Sequence, residues 1–312
     1  MVLTVTMNTS VDITYVFDQF EWNSTNRVSN VVKTAGGKGL NVTRVLRQTG
    51  TPVLATGMVG GANGTLIKKQ LASCGIEYDF YETDRESRNN ISIVCPGAFT
   101  EILEKGEEVS QRDAEQFLVY FDKLLDSADL VTMSGSLPGG LPAEYYSVMA
   151  GLANRKGIKT LLDTSGEGLR AAVRGKDKPY LIKPNEKEIG EILGQPLPVD
   201  NLEEAGRFLL EPVFEGIFCV VVSLGEKGAM AKVGRSVYTL HVPKIQAVNP
   251  IGSGDSVIAG IAASLEKGEP LEKALRMGMT FGVLNALEQA PGTLKMDRFD
   301  DVFSKITVEK II

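Results

Sequence analysis

The segment Asn249–Asp255, N-P-I-G-S-G-D, combines two glycines, a hydroxyl and a carboxylate in an order suited to phosphate chemistry. It precedes the small, apolar run SVIAGIAASL, which predicts that a helix begins at the glycines. The first N–H groups of a helix have no internal partner, and glycine lets a ligand approach them closely. We therefore predict that Gly252, Ser253 and Gly254 stabilise a phosphoryl group in transfer. Asp255 would accept the proton of the attacking hydroxyl.

A second interpretation of Asp255 stays open at this point. An acidic residue in the first turn of a helix is common, because it interacts favourably with the helix dipole. Short glycine motifs also arise often by chance. Other segments must therefore decide between a catalytic and a purely structural carboxylate.

The segment Thr34–Asn41, T-A-G-G-K-G-L-N, is a second glycine-rich helix start. It is not a Walker A loop, because Lys38 is followed by Gly39 where that motif needs Ser or Thr. Gly37 opens the backbone, while Lys38 and Asn41 supply a cation and an amide. We expect a polar ligand here, with an ordinary helix N-terminus as the alternative.

Two further segments follow strand-like runs, at the edge where open α/β sheets bind ligands. Ser223–Gly228, S-L-G-E-K-G, follows FCVVVS and is predicted to contact a nucleotide, with a tight turn as the alternative. In Lys183–Glu188, K-P-N-E-K-E, the oxygens of Asn185 and Glu188 suit Mg²⁺ held through water. A capping pair without a metal is the alternative for that spacing.

The composition of the chain excludes several classes of protein. Its 312 residues carry a net charge of −6 with no long basic run, so we expect no nucleic-acid partner. No apolar run reaches the length of a membrane span, and the N-terminus lacks a leader pattern. Three dispersed cysteines favour the cytoplasm. The single histidine, His241, lies in an alternating strand-like segment, so triads and histidine metal sites are excluded.

Short β-branched runs alternate with helix-length periodic segments along most of the chain, which predicts a parallel sheet covered on both faces. The predicted helices cover roughly 38–48, 63–74, 110–127, 142–156, 201–214, 252–265 and 270–286. After Ser223, short alternating runs predict an antiparallel edge. Gly278, Gly282 and Ala286 recur at four-residue steps and predict tight packing against the Asp255 helix.

Two segments break this rhythm, at about 11–34 and 88–107. We predict that they form a small sheet inserted in a single domain spanning residues 1–312. Such a sheet could close over a sugar site as a lid or join two subunits. Ordinary surface hairpins are the alternative.

The order of these motifs along one chain resembles that of the ribokinase-like PfkB carbohydrate kinases, in particular their phosphosugar branch. The resemblance spans the whole length and rests on Asp12, GGKGLN, Arg88-Asn89, SGSLP at Ser134, K-P-N-x-x-E, S-x-G-x-x-G and G-S-G-D. It implies a three-layer αβα sandwich with a Rossmann-like, mostly parallel sheet and a small β-sheet lid. It also implies ATP and Mg²⁺ as cofactors, a monovalent cation as a further candidate, and a homodimer formed through the lid.

The resemblance assigns roles residue by residue. Asp255 is the expected base, with Gly252, Ser253 and Gly254 as the anion hole. The expected phosphosugar ligands are Asp12, Gly37, Lys38, Asn41, Arg88 and, more weakly, Arg27. The expected ATP ligands are Lys183, Asn185, Ser223, Gly225, Gly228 and Asn285. Glu188, with Asn185, is expected to hold Mg²⁺ through water.

The expected reaction is transfer of a phosphoryl group from ATP to a phosphorylated ketohexose. A substrate that already carries a phosphate needs cations away from the reacting group, and Lys38 and Arg88 can supply them. Tagatose 6-phosphate is the first candidate, and fructose 1-phosphate is the alternative. A non-catalytic sugar or nucleotide sensor on the same fold is the alternative from another class.

Overall fold

The computed structural model describes all 312 residues. The predicted alternation of strands and helices is present, and most strands belong to one sheet of eleven. The fifteen strands are β1 (Val2–Thr6), β2 (Ser10–Val16), β3 (Asn30–Gly36), β4 (Val53–Gly60), β5 (Glu77–Tyr78), β6 (Tyr81–Thr83), β7 (Arg88–Cys95), β8 (Ala98–Leu103), β9 (Leu130–Ser134), β10 (Lys159–Asp163), β11 (Leu181–Ile182), β12 (Cys219–Ser223), β13 (Ala229–Val233), β14 (Ser236–His241) and β15 (Thr307–Lys310).

Ten α-helices cover and connect these strands. They are α1 (Lys38–Gln48), α2 (Gly61–Ser73), α3 (Gln111–Leu124), α4 (Tyr145–Arg155), α5 (Gly166–Arg174), α6 (Glu186–Leu193), α7 (Leu202–Leu209), α8 (Ser253–Glu266), α9 (Leu271–Ala286) and α10 (Phe299–Lys305). None of them combines the length and the apolar character needed to span a membrane. The three cysteines are free thiols.

The large sheet runs in the order β15-β14-β13-β12-β11-β10-β9-β1-β4-β5, with β6 also paired to β4. β1 lies between β4 and β9, and both pairings are parallel. All five residues of β1 are buried, as expected for a strand covered on both faces. From β12 to β15 the pairing is antiparallel, which confirms the predicted antiparallel edge.

Two apolar layers enclose this sheet and give the predicted three-layer α/β architecture. One layer contains the side chains of Phe117 and Phe121, from α3, and of Tyr146, from α4. The other layer contains the side chains of Ile258, from α8, and Phe281, from α9. These last two helices pack closely, since a Cβ added to Gly282 would lie 2.8 Å from Val257 Cγ2. This contact fixes the helix that carries Asp255.

A separate four-stranded sheet has the order β3-β2-β7-β8, and it contains the two segments that break the main pattern. A third apolar cluster, with Val11, Ile13 and Leu40 among its members, joins this small sheet to the main body. The division of the chain into one domain with a lid at 11–34 and 88–107 stays a prediction. The arrangement places β2, and Asp12 within it, close to the start of α1.

Candidate active site

The turn before α8 places Asp255 in the third position of that helix. Gly252 adopts a left-handed backbone with φ of 81°, which favours glycine. A Cβ at Gly252 would also lie 2.9 Å from Pro291 Cβ, so a side chain would displace the loop that packs on this turn. Gly252, Ser253 and Gly254 are half-buried, whereas Asp255 is buried. The turn therefore leaves its backbone accessible above a shielded carboxylate.

The main-chain N–H groups at this turn divide into free and occupied donors. Ser253 donates its N–H to the Pro250 carbonyl at 3.2 Å. The N–H groups of Gly252, Gly254 and Asp255 have no partner in the protein. Of the three residues predicted to form the anion hole, Gly252 and Gly254 thus have free N–H groups at the helix start, and the role of all three stays a prediction.

Asn285 holds this turn in place. Its side chain is fully buried, and its amide nitrogen donates to the Ile251 carbonyl at 2.8 Å. Its amide oxygen accepts from the Gly292 N–H at 2.8 Å and from the Ser256 hydroxyl at 3.2 Å. We expected Asn285 to contact ATP. Its amide is fully engaged inside the protein, where it holds this turn, and its contact with ATP stays a prediction.

The carboxylate of Asp255 has one occupied and one free oxygen. Asn41 donates its side-chain N–H to Oδ2 at 2.8 Å, and Oδ1 has no hydrogen-bond partner. Burial, helped by the negative charge of Asp163, raises the pKa of Asp255 to about 6, although Lys38, Asn41 and Lys183 act in the opposite direction. A carboxylate tuned in this way is ionised at neutral pH and has a basic oxygen available for a proton.

Asp163 is a site residue that the sequence analysis missed. It ends β10 and is 3 % exposed, with its carboxylate 3.3 Å from Lys183 Nζ and 3.7 Å from Lys38 Nζ. Burial alone would raise the pKa of Asp163, but the two ammonium groups outweigh it and the pKa is lowered. Conversely, Asp163 raises the pKa of Lys38. The site thus contains two cations and an ionised carboxylate beside Asp255.

This arrangement gives Lys38 a different neighbourhood from the one expected. We predicted that Lys38 would bind the phosphate already on the sugar, away from the reacting group. Its ammonium group instead reaches Asp163, and its charge also acts on Asp255. Lys38 therefore lies close to Asp163 and Asp255, and its role in binding the substrate phosphate stays a prediction.

Arg44, in the second turn of the GGKGLN helix, is a second residue that the sequence analysis left unassigned. It donates from Nη1 to Asn41 Oδ1 at 2.7 Å and from Nη2 to the Ala35 carbonyl. Burial lowers the pKa of Arg44. The only signal in the sequence was its position three residues after Asn41, which places both side chains on one face of α1.

Asp12 lies on the small sheet, where that sheet meets α1. Its Oδ1 accepts hydrogen bonds from the Ser10 hydroxyl at 2.8 Å and from the Asn90 amide at 3.0 Å. Gly36 makes room for it, because a Cβ there would lie 2.1 Å from Asp12 Oδ1. Gly37 follows as the N-cap residue of α1. The acid is therefore held in a fixed orientation beside the helix that carries Asn41.

Arg88 begins β7 and donates from Nη1 to the Glu104 carbonyl at 2.8 Å. Arg85, which we did not predict, lies nearby and donates to the Glu107 carbonyl at 3.1 Å. Burial is the main cause that lowers the pKa of Arg85, and repulsion from Arg88 adds to it. Both hydrogen bonds go to neutral carbonyls, while the carboxylates of Glu107 and Asp113 act on Arg85 and those of Asp12 and Glu104 act on Arg88. Arg27 is exposed between β2 and β3 and is not brought into this group.

The predicted nucleotide residues meet at the ends of β11 and β12. Lys183 and Asn185 follow β11, and Ser223 ends β12 beside Asn185 through a parallel bridge. Gly225 and Gly228 bound the turn that follows, and both have positive φ. These residues lie at the carboxyl edge of the sheet, as predicted, on the same edge as Asp163.

Asn185 and Glu188 form a capping box, in which Asn185 Oδ1 accepts from the Glu188 N–H and Glu188 Oε2 accepts from the Asn185 N–H. This matches the structural alternative for the pair. Glu188 Oε1 accepts no such bond, and the negative charge of Glu188 contributes to raising the pKa of Lys38. No cluster of three metal-binding side chains exists. The oxygens present therefore fit a hydrated Mg²⁺ carried mainly by its nucleotide.

The fold and this site together define the ribokinase-like class of sugar kinases. The model of the pfkB family of carbohydrate kinases matches residues 5–296. Tagatose-6-phosphate kinase from Staphylococcus epidermidis is 43% identical over 311 residues, covering 100% of both chains. The chain belongs to the pfkB carbohydrate kinase family, and the predicted family and enzyme class are confirmed.

Two solved structures share the fold. A possible 1-phosphofructokinase from Thermotoga maritima has a TM-score of 0.86 and 25% identity, covering 100% of this chain and 99% of that one. Phosphofructokinase-2 from Escherichia coli in complex with potassium has a TM-score of 0.86 and 24% identity, covering 97% and 98%. The ribokinase-like fold with its separate small sheet is confirmed.

Proposed function

We propose that this protein transfers the γ-phosphoryl group of ATP to the free primary hydroxyl of D-tagatose 6-phosphate, giving D-tagatose 1,6-bisphosphate. One observation carries the proposal: a buried carboxylate with a free Oδ1, at Asp255, adjoins helix-start N–H groups that have no partner. A base and an anion hole separated by a single turn are what phosphoryl transfer to an alcohol requires.

In the proposed reaction, Asp255 Oδ1 takes the proton of the sugar hydroxyl. The hydroxyl oxygen forms a bond to the γ-phosphorus, and the bond from that phosphorus to the bridging oxygen of ADP breaks. The N–H groups of Gly252 and Gly254, with Lys183 nearby, stabilise the negative charge on the phosphoryl oxygens. Asp12 and Asn41 orient the sugar. Positioning and electrostatic stabilisation supply most of the rate enhancement.

The cofactor proposals follow from the oxygen ligands on the nucleotide side. Glu188 would hold Mg²⁺ through water, where the ion would neutralise phosphate charge. Asn185 and Ser223, with the turn at Gly225 and Gly228, would bind the nucleotide. The structure of E. coli phosphofructokinase-2 contains potassium, and we extend the proposal to activation of this chain by a monovalent cation. The loops that adjoin the anion hole present carbonyl oxygens, and Asn249 links them by donating to the Gln289 carbonyl at 2.8 Å.

Arg88 and Arg85 would bind the phosphate that the sugar already carries. Two partly buried guanidinium groups near each other repel, and a phosphate dianion would relieve that repulsion. Gly106 lies close to both Arg88 and Asn8, since a Cβ at Gly106 would lie 3.4 Å from Arg88 Cβ and 3.6 Å from Asn8 Oδ1. A neutral sugar would not need this pair of charges.

Fructose 1-phosphate is the second candidate substrate. The same donor site would serve it if the sugar were bound in the reverse direction. The similarity to a possible 1-phosphofructokinase favours this alternative, but the closer similarity in sequence to a tagatose-6-phosphate kinase supports the first.

We also propose a homodimer formed through the small sheet. Both edge strands of this sheet, β3 and β8, expose large apolar side chains, which a second copy would cover. They are Val31, Val32, Phe99, Ile102 and Leu103. The three free thiols and the use of ATP support a cytoplasmic location.

A coupled assay of ADP release with tagatose 6-phosphate, fructose 6-phosphate and fructose 1-phosphate tests the proposal. We expect the highest kcat/KM with tagatose 6-phosphate. A higher value with fructose 1-phosphate would select the alternative, and ATP turnover with none of the three would argue for a sensor. Size-exclusion chromatography with light scattering, comparing the wild type with Phe99→Asp, tests the dimer.

A further inference from the structure

Arg44 lies behind the site. A single side chain, that of Asn41, separates it from the carboxylate of Asp255, which we assign as the base. A continuous chain of hydrogen bonds runs from the Ala35 carbonyl through the Arg44 guanidinium and the Asn41 amide to Asp255 Oδ2. The Arg44–Asn41 and Asn41–Asp255 distances are 2.7 Å and 2.8 Å. Arg44 makes no hydrogen bond to Asp255, so besides the attraction between the two charges its contact with the carboxylate runs through Asn41.

The chemistry of the three groups fixes the direction of this chain. A guanidinium group only donates hydrogen bonds, so the Asn41 oxygen must face Arg44. The Asn41 NH₂ group must then face Asp255, which accepts at Oδ2 as an ionised carboxylate. The proton from the substrate is therefore directed to Oδ1. Without Arg44, the amide of Asn41 could turn over and present its oxygen to Asp255, and a proton would then be favoured on Oδ2.

We propose that Arg44 is a positioning residue, which sets the orientation of the Asn41 amide and thereby keeps Asp255 Oδ2 unprotonated and Oδ1 available as the base. The inference rests on the proposed role of Asp255 and adds a residue for which the reaction itself gives no reason. The anchor on Ala35 strengthens it, because that bond ties the guanidinium to the end of β3 and limits its movement.

Several other charges act on Asp255, and a test must separate them from Arg44. Asp163 faces it from the end of β10, Lys183 from the segment after β11, and Lys38 from the first turn of α1. Asp12, on the small sheet, and Cys74, at the end of α2, act on Arg44. None of these groups contacts Asn41 Oδ1. A change in amide orientation is therefore specific to Arg44.

The test is the pH dependence of kcat for the wild type, Arg44→Met and Arg44→Lys, with saturating ATP and sugar phosphate. Methionine cannot donate to Asn41, so we expect the acidic limb of Arg44→Met to move to higher pH by roughly one unit. Lysine can still donate to an amide three residues earlier on the helix, so its limb should stay near that of the wild type. Arg47→Gln, on the exposed side of α1, is the matched control and should not move the limb.

A double-mutant cycle shows whether Asn41 is the intermediary. In an Asn41→Ala background, Arg44→Met should produce little further shift. An equal shift in both backgrounds would overturn the inference, because Arg44 would then act as a distant charge alone. An unchanged acidic limb in Arg44→Met would overturn the inference as well. The proposed function would still stand in that case if the wild type showed an acidic limb that Asp255→Asn removes. If the wild type turned over no sugar phosphate, the proposed function and this inference would both fail.

Discussion

The ammonium group of Lys183 lies 3.3 Å from the carboxylate of Asp163 and 3.0 Å from the point where a Cβ on Gly254 would be. One side chain thus links the end of a central strand to the first turn of α8. The pairing holds a buried cation against the backbone that is proposed to receive the phosphoryl group. The position of the Lys183 ammonium group can be tested by changing either Gly254 or Asp163.

Gly254→Ala should weaken catalysis without unfolding the protein. Gly254 has no unusual backbone angle, but the added methyl group would force the Lys183 amine to move away from the turn. We expect a lower kcat and a higher KM for ATP, measured by the coupled assay. Gly168→Ala, on α5, is the control, because Gly168 also has no unusual backbone angle and its added methyl group would make only an ordinary contact, 3.4 Å from Thr164 Oγ1. If the two variants had equal kcat, the importance of Lys183 at this turn would be disproved.

Asp163→Asn should move the acidic limb of the kcat profile to lower pH. Burial and the Asp163 charge raise the pKa of Asp255 to about 6, so wild-type activity should fall as pH decreases through that value. Without the negative charge of Asp163, the positive charges of Lys38 and Lys183 act on Asp255 unopposed. We therefore expect the pKa of Asp255 to fall by roughly one unit. Maximal kcat should fall too, because both amines lose their partner. A limb that moved upward would contradict this account of the site.

The loss of Asn285 should reduce kcat more than it affects the binding of either substrate. Asn285→Ala leaves the Ile251 carbonyl and the Gly292 N–H without partners, at about 1–3 kcal/mol of stability for each buried group. Thr280→Val is a control on the same helix, since it removes one buried hydrogen bond to Arg276 without touching the anion hole. Thermal unfolding and kcat should separate the two variants. A large rise in the KM for ATP with unchanged kcat would restore the direct nucleotide contact that we first expected.

Arg88→Met and Arg85→Met should each raise the KM for the sugar phosphate by roughly 10- to 100-fold, the range expected for a lost hydrogen bond to a charged group. The KM for ATP should change little. Turnover of unphosphorylated tagatose, although slow, should be insensitive to both changes. Arg155→Met, at an exposed position on α4, is the control. If Arg85→Met behaved like this control, the phosphate subsite would rest on Arg88 alone.

The sequence was most informative where function depends on consecutive residues. The turn Gly252–Asp255 and the start of α1 at Lys38 were predicted at their observed positions, because glycine, capping and periodicity are local signals. The edge strand β15 was not predicted, since it exists through pairing with β14, far away in the sequence. Helix α5 was missed as well, because its nine residues include two glycines.

Residues that act through distant partners were harder to find. Asp163 looked like an ordinary strand end, and only the folded sheet brings Lys183 and Lys38 onto it. Arg44 was not considered from the sequence, and only the structure places Asn41 and Ala35 around it. Asn285 was predicted as an ATP ligand, and the hydrogen bonds by which it holds the turn before α8 are visible only in the folded chain.

The most direct test of the whole account compares kcat of the wild type and Asp255→Asn with tagatose 6-phosphate and ATP, alongside sugar-phosphate affinity measured by calorimetry. Asparagine preserves the shape of the side chain but cannot accept the proton. We predict a decrease in kcat of about 10²- to 10⁴-fold, the range for loss of a general base, with nearly unchanged affinity for the sugar phosphate. A variant that folds, binds the sugar and retains near-normal kcat would contradict the assignment of Asp255 as the base.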